Sequence, residues 1–195
     1  MQLNQLLKQI EFIKEIDKLK YIQRKTKLFN SDRNENDAEH SWHLAMMVLI
    51  LAEHSNAPID ILKVLKMVLI HDIVEIDAGD TFLYDTTKNH VNTEEELIAA
   101  HRIFGILPEN QAQELISIWL EFEEGKSNEA KFAKTMDRLE PILQNMSNNG
   151  GTWAEFNVSY DTVIEKTKGM VKGSTTIWEY TENQLHEAVD KGILK

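Results

Sequence analysis

The chain has 195 residues, 32 acidic against 21 basic side chains, and a formal net charge of −11. That charge argues against a nucleic-acid polymer as partner, because phosphate neutralisation needs clustered Lys and Arg; the absence of cysteine excludes disulfides and thiolate metal sites and suits a cytoplasmic protein. The length suits one domain with a core of its own, and 8 Gly with 3 Pro leave little punctuation, which favours long helices.

In chain order, Leu6, Ile10, Ile13 and Ile16 keep helical spacing and predict an amphipathic helix to about residue 20. Acids interrupt its apolar residues, so it does not read as a signal peptide. The polar stretch 25–37 reads as a loop. A helix follows over about 38–54, apolar nearly all round from Leu44 to Ala52 and therefore central. Even that run is far shorter than the 18 or so apolar residues of a spanning helix, so no membrane partner is expected. Pro58 and Asp60 open a helix that runs to about residue 77 and ends at Gly79. Thr93 and Glu96 form a capping-box pattern at the head of a helix over 93–104. Helices over 108–122 and 129–146 come next, then the break Asn148–Gly151, and finally helices over 158–170 and 175–191. No segment alternates with period two. The expectation is an all-α protein, one domain over 1–195, with residues 152–195 packed on a core of about 24–143.

The stretch Leu69–Asp80, LIHDIVEIDAGD, places four carboxylates and a histidine directly behind an apolar run. At 100° per residue, His71, Asp72 and Glu75 share one patch while Asp77 points away toward solvent. Asp80 follows Gly79 and is free to fold back over the patch. Acids at a helix C-terminus oppose the helix dipole, so their presence needs a reason. His40 sits one turn before the most apolar segment of the chain, and Asp137 shares a helical stripe with Ala130, Ala133 and Pro141. An ionised carboxylate on such a face costs several kcal/mol without a cationic partner. Two His and two Asp would give a divalent ion mixed N/O ligands and two negative charges, so each oddity explains the others.

His40, the pair His71-Asp72, and Asp137 resemble the H…HD…D signature of the HD-domain metal-dependent phosphohydrolases. Two longer stretches, Glu35–Ser41 (ENDAEHS) and His71–Asp80 (HDIVEIDAGD), are similar to those of its 5'-deoxynucleotidase branch. The resemblance covers about residues 24–143. It implies an HD-domain helical bundle in which His40, His71, Asp72 and Asp137 bind one divalent transition metal ion (Co, Mn, Zn, Fe, Ni or Mg), and acid/base work for Glu75 and Asp80. It further implies that an Arg upstream of the first metal His, here Arg24, orients the substrate phosphate, and that the protein is a homodimer. Lys25 stands where that branch can place a Trp directly after the Arg.

The expected activity is hydrolysis of a (deoxy)nucleoside 5'-monophosphate to nucleoside and phosphate. Arg24, Lys25 and Arg33 form a cationic edge suited to the phosphate. Glu75 is the expected base, and Asp80 the group at the departing 5' oxygen or sugar hydroxyl, with the two roles open to exchange. A two-metal phosphodiesterase recruiting His90 and His101 is one alternative; a non-catalytic metal-stabilised interaction module is another. His43 lies near the expected ligands, whereas His54 and His186 read as surface residues. Trp42, Trp119, Trp153 and Trp178 read as core or interface. Ile177, Tyr180, Leu185 and Val189 offer an apolar face either to a second copy or to the monomer's own core.

Overall fold

The computed structural model of the protein describes residues 2–85 and 94–195. Helix α1 (Gln2–Ile16) runs through a 3-10 turn, Asp17–Tyr21, into an antiparallel hairpin of β1 (Gln23–Lys27) and β2 (Asn34–Asn36). The segment expected as a loop is thus partly paired, with Gln23 opposite Asn36 and Lys27 opposite Asn34. Strands this short and polar leave no period-two signal. The hairpin is held from outside: the Asn148 side chain donates to the Leu28 carbonyl at 2.9 Å and accepts from the Ser31 N–H at 3.2 Å.

α2 (Asp37–Leu51) starts at a reciprocal capping box between Asn36 and Glu39. It buries Leu44, Met47 and Val48 but leaves Met46, Leu49 and Ile50 exposed. The expectation of a helix covered all round is therefore corrected: α2 lies on one side of the core. α3 (Ile61–Ile70) is capped by Asp60, whose carboxylate accepts from the Leu62 and Lys63 N–H groups. After α4 (Glu75–Ala78) come α5 (Glu94–Phe104), α6 (Glu109–Glu124), α7 (Asn128–Ser147), α8 (Gly151–Glu155), α9 (Tyr160–Thr167) and α10 (Thr175–Asp190). Thr93, half of the anticipated capping box, lies outside the described residues. The fold is all-α apart from the hairpin, and one apolar cluster runs from Phe12 to Leu194. α7 is central to it, with Ala130, Phe132, Ala133 and Met136 wholly buried.

Residues 158–195 share this cluster and are hydrogen-bonded to the rest around Val171–Thr175. Gly173 lies so close to α7 that a β-carbon there would stand 2.4 Å from the Lys131 carbonyl oxygen. The neighbouring Ser174 caps α10 and donates its hydroxyl to the His54 carbonyl at 2.6 Å. Of the apolar residues on α10, Ile177 and Leu185 are buried in the monomer, while Tyr180 and Val189 stay exposed.

The helix expected over 60–77 is not continuous. α3 stops at Ile70, His71–Val74 form a 3-10 turn, and α4 resumes at Glu75. The Glu75 N–H bonds the Asp72 and Ile73 carbonyls, and the buried Trp119 of α6 donates its Nε1–H to the His71 carbonyl at 3.2 Å. At three residues per turn, Asp72 and Glu75 fall on one line, so the tightening brings them closer than a regular α-helix does. Trp119→Phe keeps the ring but strips the His71 carbonyl of this donor. A buried polar group left unsatisfied costs about 1–3 kcal/mol, and urea denaturation should show a loss of that size with helical content retained.

Candidate metal centre and active-site cleft

Four side chains from three separate elements meet at the junction of α2, α3 and α7. His40 Nε2 of α2 lies 3.1 Å from Asp137 Oδ1 of α7, and His71 Nε2 lies 3.6 Å from the same oxygen. His71 Nε2 is also 3.0 Å from Asp72 Oδ1, and His40 Nε2 is 4.0 Å from Asp72 Oδ2. All four are buried, with His40 wholly enclosed. Small residues let the helices approach here: Ala130 and Ala133 precede Asp137 on α7. Pro141, four residues on, has no N–H to return to the Asp137 carbonyl.

The donor set fits a divalent cation. His71 Nδ1 faces the Val68 carbonyl at 3.0 Å, an acceptor suited to an Nδ1–H, which leaves Nε2, facing Asp72 and Asp137, as the nitrogen available to an ion. His71 Nε2 makes no hydrogen bond of its own although it is buried. Two imidazole nitrogens and two carboxylates of this kind suit first-row divalent ions. One nitrogen or oxygen from each of His40, His71 and Asp72 falls within 4.8 Å of the others, and together with the family assigned below this cluster indicates a divalent metal.

Without an ion the four groups neutralise one another. Burial opposes charge on His71, but Asp72 and Asp137 outweigh it and carry the ring up to about 9. His40 is likewise raised, against burial and Arg24, by hydrogen bonding to Asp137, Glu140 and Glu35. Burial would lift Asp72 and Asp137 too, yet His71 holds Asp72 down to about 2, and Arg138 with the two histidines holds Asp137 well below the carboxylate range.

The centre opens on a cleft of about 420 Å³, within the usual range for small-molecule sites. Glu75 and Asp80 both line it, as do Arg24 and Lys25. Arg24 is embedded in acid: Nη1 lies 3.0 Å from Asp72, 3.5 Å from Asp37 and 3.9 Å from Asp80, and Nε is 3.6 Å from Glu35. One oxygen each of Asp37, Glu75 and Asp80 lies within 4.8 Å of the others. Burial and the charges of Asp72, Asp37 and Asp80 push Glu75 well above the ordinary carboxyl range. Burial and Asp72 bring Asp37 up to about 7. Asp80 is raised by burial, with Arg24 pulling the other way.

Arg33 is not in this cleft. Its side chain is half exposed and forked on Glu39, with bonds of 3.0 and 2.9 Å, because Glu39 is fixed in place by the capping box. Two cations that the sequence reading passed over take that place: Lys134 and Arg138 of α7 both line the cleft. Lys134 Nζ stands 4.5 Å over the Phe122 ring, and Arg138 reaches Asp137 Oδ2 at 2.7 Å. Their only sequence signal is their place three residues before and one after Asp137. Asp77 faces away as expected and pairs with Arg102. His101 is exposed on α5, and His90 lies outside the described residues. Trp119, Trp153 and Trp178 are buried, and Trp42 is exposed.

A family model described as "HD domain" matches residues 16–178. Among known proteins, the "5'-deoxynucleotidase HDDC2" of Bos taurus is 29% identical over 164 residues, covering 80% of this chain and 77% of that one. The protein of the same name from Dictyostelium discoideum is 30% identical over 141 residues, covering 69% of this chain and 74% of its own length. Among solved structures, a "predicted metal-dependent phosphohydrolase" from Magnetospirillum magnetotacticum MS-1 superposes with a TM-score of 0.93 at 44% identity, over 98% of this chain and 96% of that chain. The chain belongs to the HD-domain family of metal-dependent phosphohydrolases.

Proposed function

We propose that this enzyme hydrolyses (deoxy)nucleoside 5'-monophosphates to nucleoside and phosphate, using one divalent transition metal ion held by His40, His71, Asp72 and Asp137. The observation that carries the proposal is the convergence of those four side chains at the floor of a cleft that also holds Glu75, Asp80 and Arg24. The names of the relatives support the substrate class. A bound ion supplies Lewis-acid activation of water and of a phosphoryl oxygen. The remaining work falls to the chain. Arg24 and Lys25, with Lys134 and Arg138, offset the phosphate charge in a cleft otherwise rich in carboxylates. Glu75 accepts the proton of the attacking water. Asp80 donates to the departing 5' oxygen or holds the sugar hydroxyl; burial raises both carboxyls from their ordinary values, and neighbouring acids add to this at Glu75.

The exposed position of His101 weighs against the two-metal reading, and the placement of Glu75 and Asp80 at the cleft weighs against a non-catalytic module. We also propose a cytoplasmic homodimer. Ile177 and Leu185 are consumed inside the monomer, so the better-suited surface is α1, whose Leu3, Leu6, Ile10 and Ile13 are 41–69% exposed. Among the described residues no helix is long and apolar enough to cross a membrane.

Phosphate release should be seen with deoxynucleoside 5'-monophosphates plus a divalent ion in a panel that also contains ribonucleotides and cyclic nucleotides. Turnover of cyclic nucleotides alone would overturn the proposal. Glu75→Gln should keep the ion and lose about 10²–10⁴ in rate, the usual contribution of a general base, whereas Asp137→Ala should lose the ion itself. Loss of metal in Glu75→Gln would make that residue a ligand instead.

Thermal stability supplies a further check, with a definite sign. The folded pKa of His71, about 9, exceeds its ordinary 6.5, so its contribution is full below 6.5 and lost as pH rises through 9. Asp37, at about 7 against 3.8, also favours the folded state most on the acid side. The melting temperature of metal-free protein should therefore fall between pH 6 and pH 9. Ion binding requires neutral histidines, so the stabilisation given by added metal should grow over the same interval.

A further inference from the structure

Behind the metal centre, on the side away from the cleft, lies a second set of enclosed polar groups. Glu35 is 1% exposed, and Glu140 and Gln144 are 0% exposed. Gln144 of α7 spans the two carboxylates with its side-chain amide, donating to Glu35 Oε1 at 2.9 Å and to Glu140 Oε1. An amide nitrogen has two hydrogens, and both are spent on this bridge. The remaining oxygens, Glu35 Oε2 and Glu140 Oε2, stand 3.5 and 3.3 Å from His40 Nδ1. These three atoms are all buried and none has a formed hydrogen bond. Two carboxylate oxygens therefore converge on one ring nitrogen, and Glu35 Oε2 also has Arg24 Nε at 3.6 Å.

We propose that Glu35 and Glu140, bridged by Gln144, are positioning residues that clamp His40 from behind, sharing its Nδ1–H so that the Nε2 lone pair is fixed toward the ion. The inference rests on His40 being a metal ligand. The contrast with His71 gives it content. His71 Nδ1 is held by a neutral carbonyl, that of Val68. His40 is held by two carboxylates, and an anionic acceptor on the far nitrogen makes an imidazole a stronger donor to its ion. His40 is then the ligand on which retention of the ion chiefly depends. The clamp also reaches the cleft, because Glu35 Oε2 lies 3.6 Å from Arg24 Nε. One carboxylate thus sets the positions of a ligand and of the proposed phosphate-binding arginine together. His43, at 3.1 Å from Glu140 Oε1, closes the set toward the surface.

The test uses the full chain and Co²⁺ or Mn²⁺, with dissociation constants measured by competition against a chromophoric chelator. Glu140→Gln and Glu35→Gln should each weaken the ion by about 10–100-fold, the usual effect of losing an outer partner of a ligating histidine. At saturating metal the turnover of Glu140→Gln should return to within a few-fold of the parent. The visible spectrum of the Co²⁺ protein should shift in both variants, a change that loosened packing elsewhere does not produce. Circular dichroism of the metal-free variants checks folding; should Glu140→Gln not fold, Glu35→Gln carries the test alone. His40→Ala separates the two readings. If His40→Ala loses the ion but both Gln variants bind it as tightly as the parent with unchanged spectra, the clamp is wrong. If His40→Ala itself keeps the ion, the ligand assignment is wrong.

Discussion

The fold is arranged around an excess of buried negative charge. Glu35, Asp37, Asp72, Asp137 and Glu140 are all buried within one region, and Arg24 is the cation placed among most of them. Enclosed carboxylates are tolerated only when paired and hydrogen-bonded. Here Arg24, Arg138 and two protonated imidazoles share that task in the metal-free protein. The imbalance is visible in the raised acids: at Glu75, Asp37 and Asp80, burial and neighbouring carboxylates outweigh the pull of Arg24. A divalent ion at the proposed four-ligand centre would relieve this imbalance and free the histidines from carrying protons. The same imbalance that makes the site costly to fold raises the cleft carboxyls above their ordinary values, as burial and like charge do at functional sites.

Much of this was legible in the sequence. The helical segments were readable because their apolar spacing persists for several turns, and the cluster of acids behind an apolar run signalled a site. What escaped notice has particular causes. The hairpin at Gln23–Asn36 is stabilised by Asn148, more than a hundred residues away, and a local pattern cannot contain that. The 3-10 turn at His71 depends on an indole from α6. A wheel drawn for a regular helix still grouped His71, Asp72 and Glu75, because the change in pitch moved Glu75 onto the line of Asp72 and not away from it.

Charged residues near the site were the harder reading. Arg33 and Lys25 stood in the same cationic stretch, and nothing local separates them. The capping box does so in three dimensions: Glu39 must lie beside the start of α2 to reach the Asn36 N–H, and once there it takes the Arg33 guanidinium with both oxygens. Lys134 and Arg138 are hidden for the opposite reason. Basic residues on helices are common and mostly face water, so these two acquire meaning only from the direction of Asp137.

The centre has two sides with different physical duties. On the cleft side, Glu75, Asp80 and Lys134 are partly exposed and Lys25 is exposed. On the rear side, Glu35, Glu140 and Gln144 are enclosed and bridged to one another. His40, with no exposure at all, belongs to the rear; Asp72 and His71 belong to both, since they line the cleft and touch the centre. In the proposed reaction, an enclosed back would hold the ion while the more open front faces the substrate. Arg24 joins the two sides, with one nitrogen toward Glu35 and another toward Asp72. A phosphate drawing on that guanidinium must share it with carboxylates already in place. If Arg24 binds phosphate as proposed, phosphate affinity and the charge balance of the buried centre are set by the same side chain.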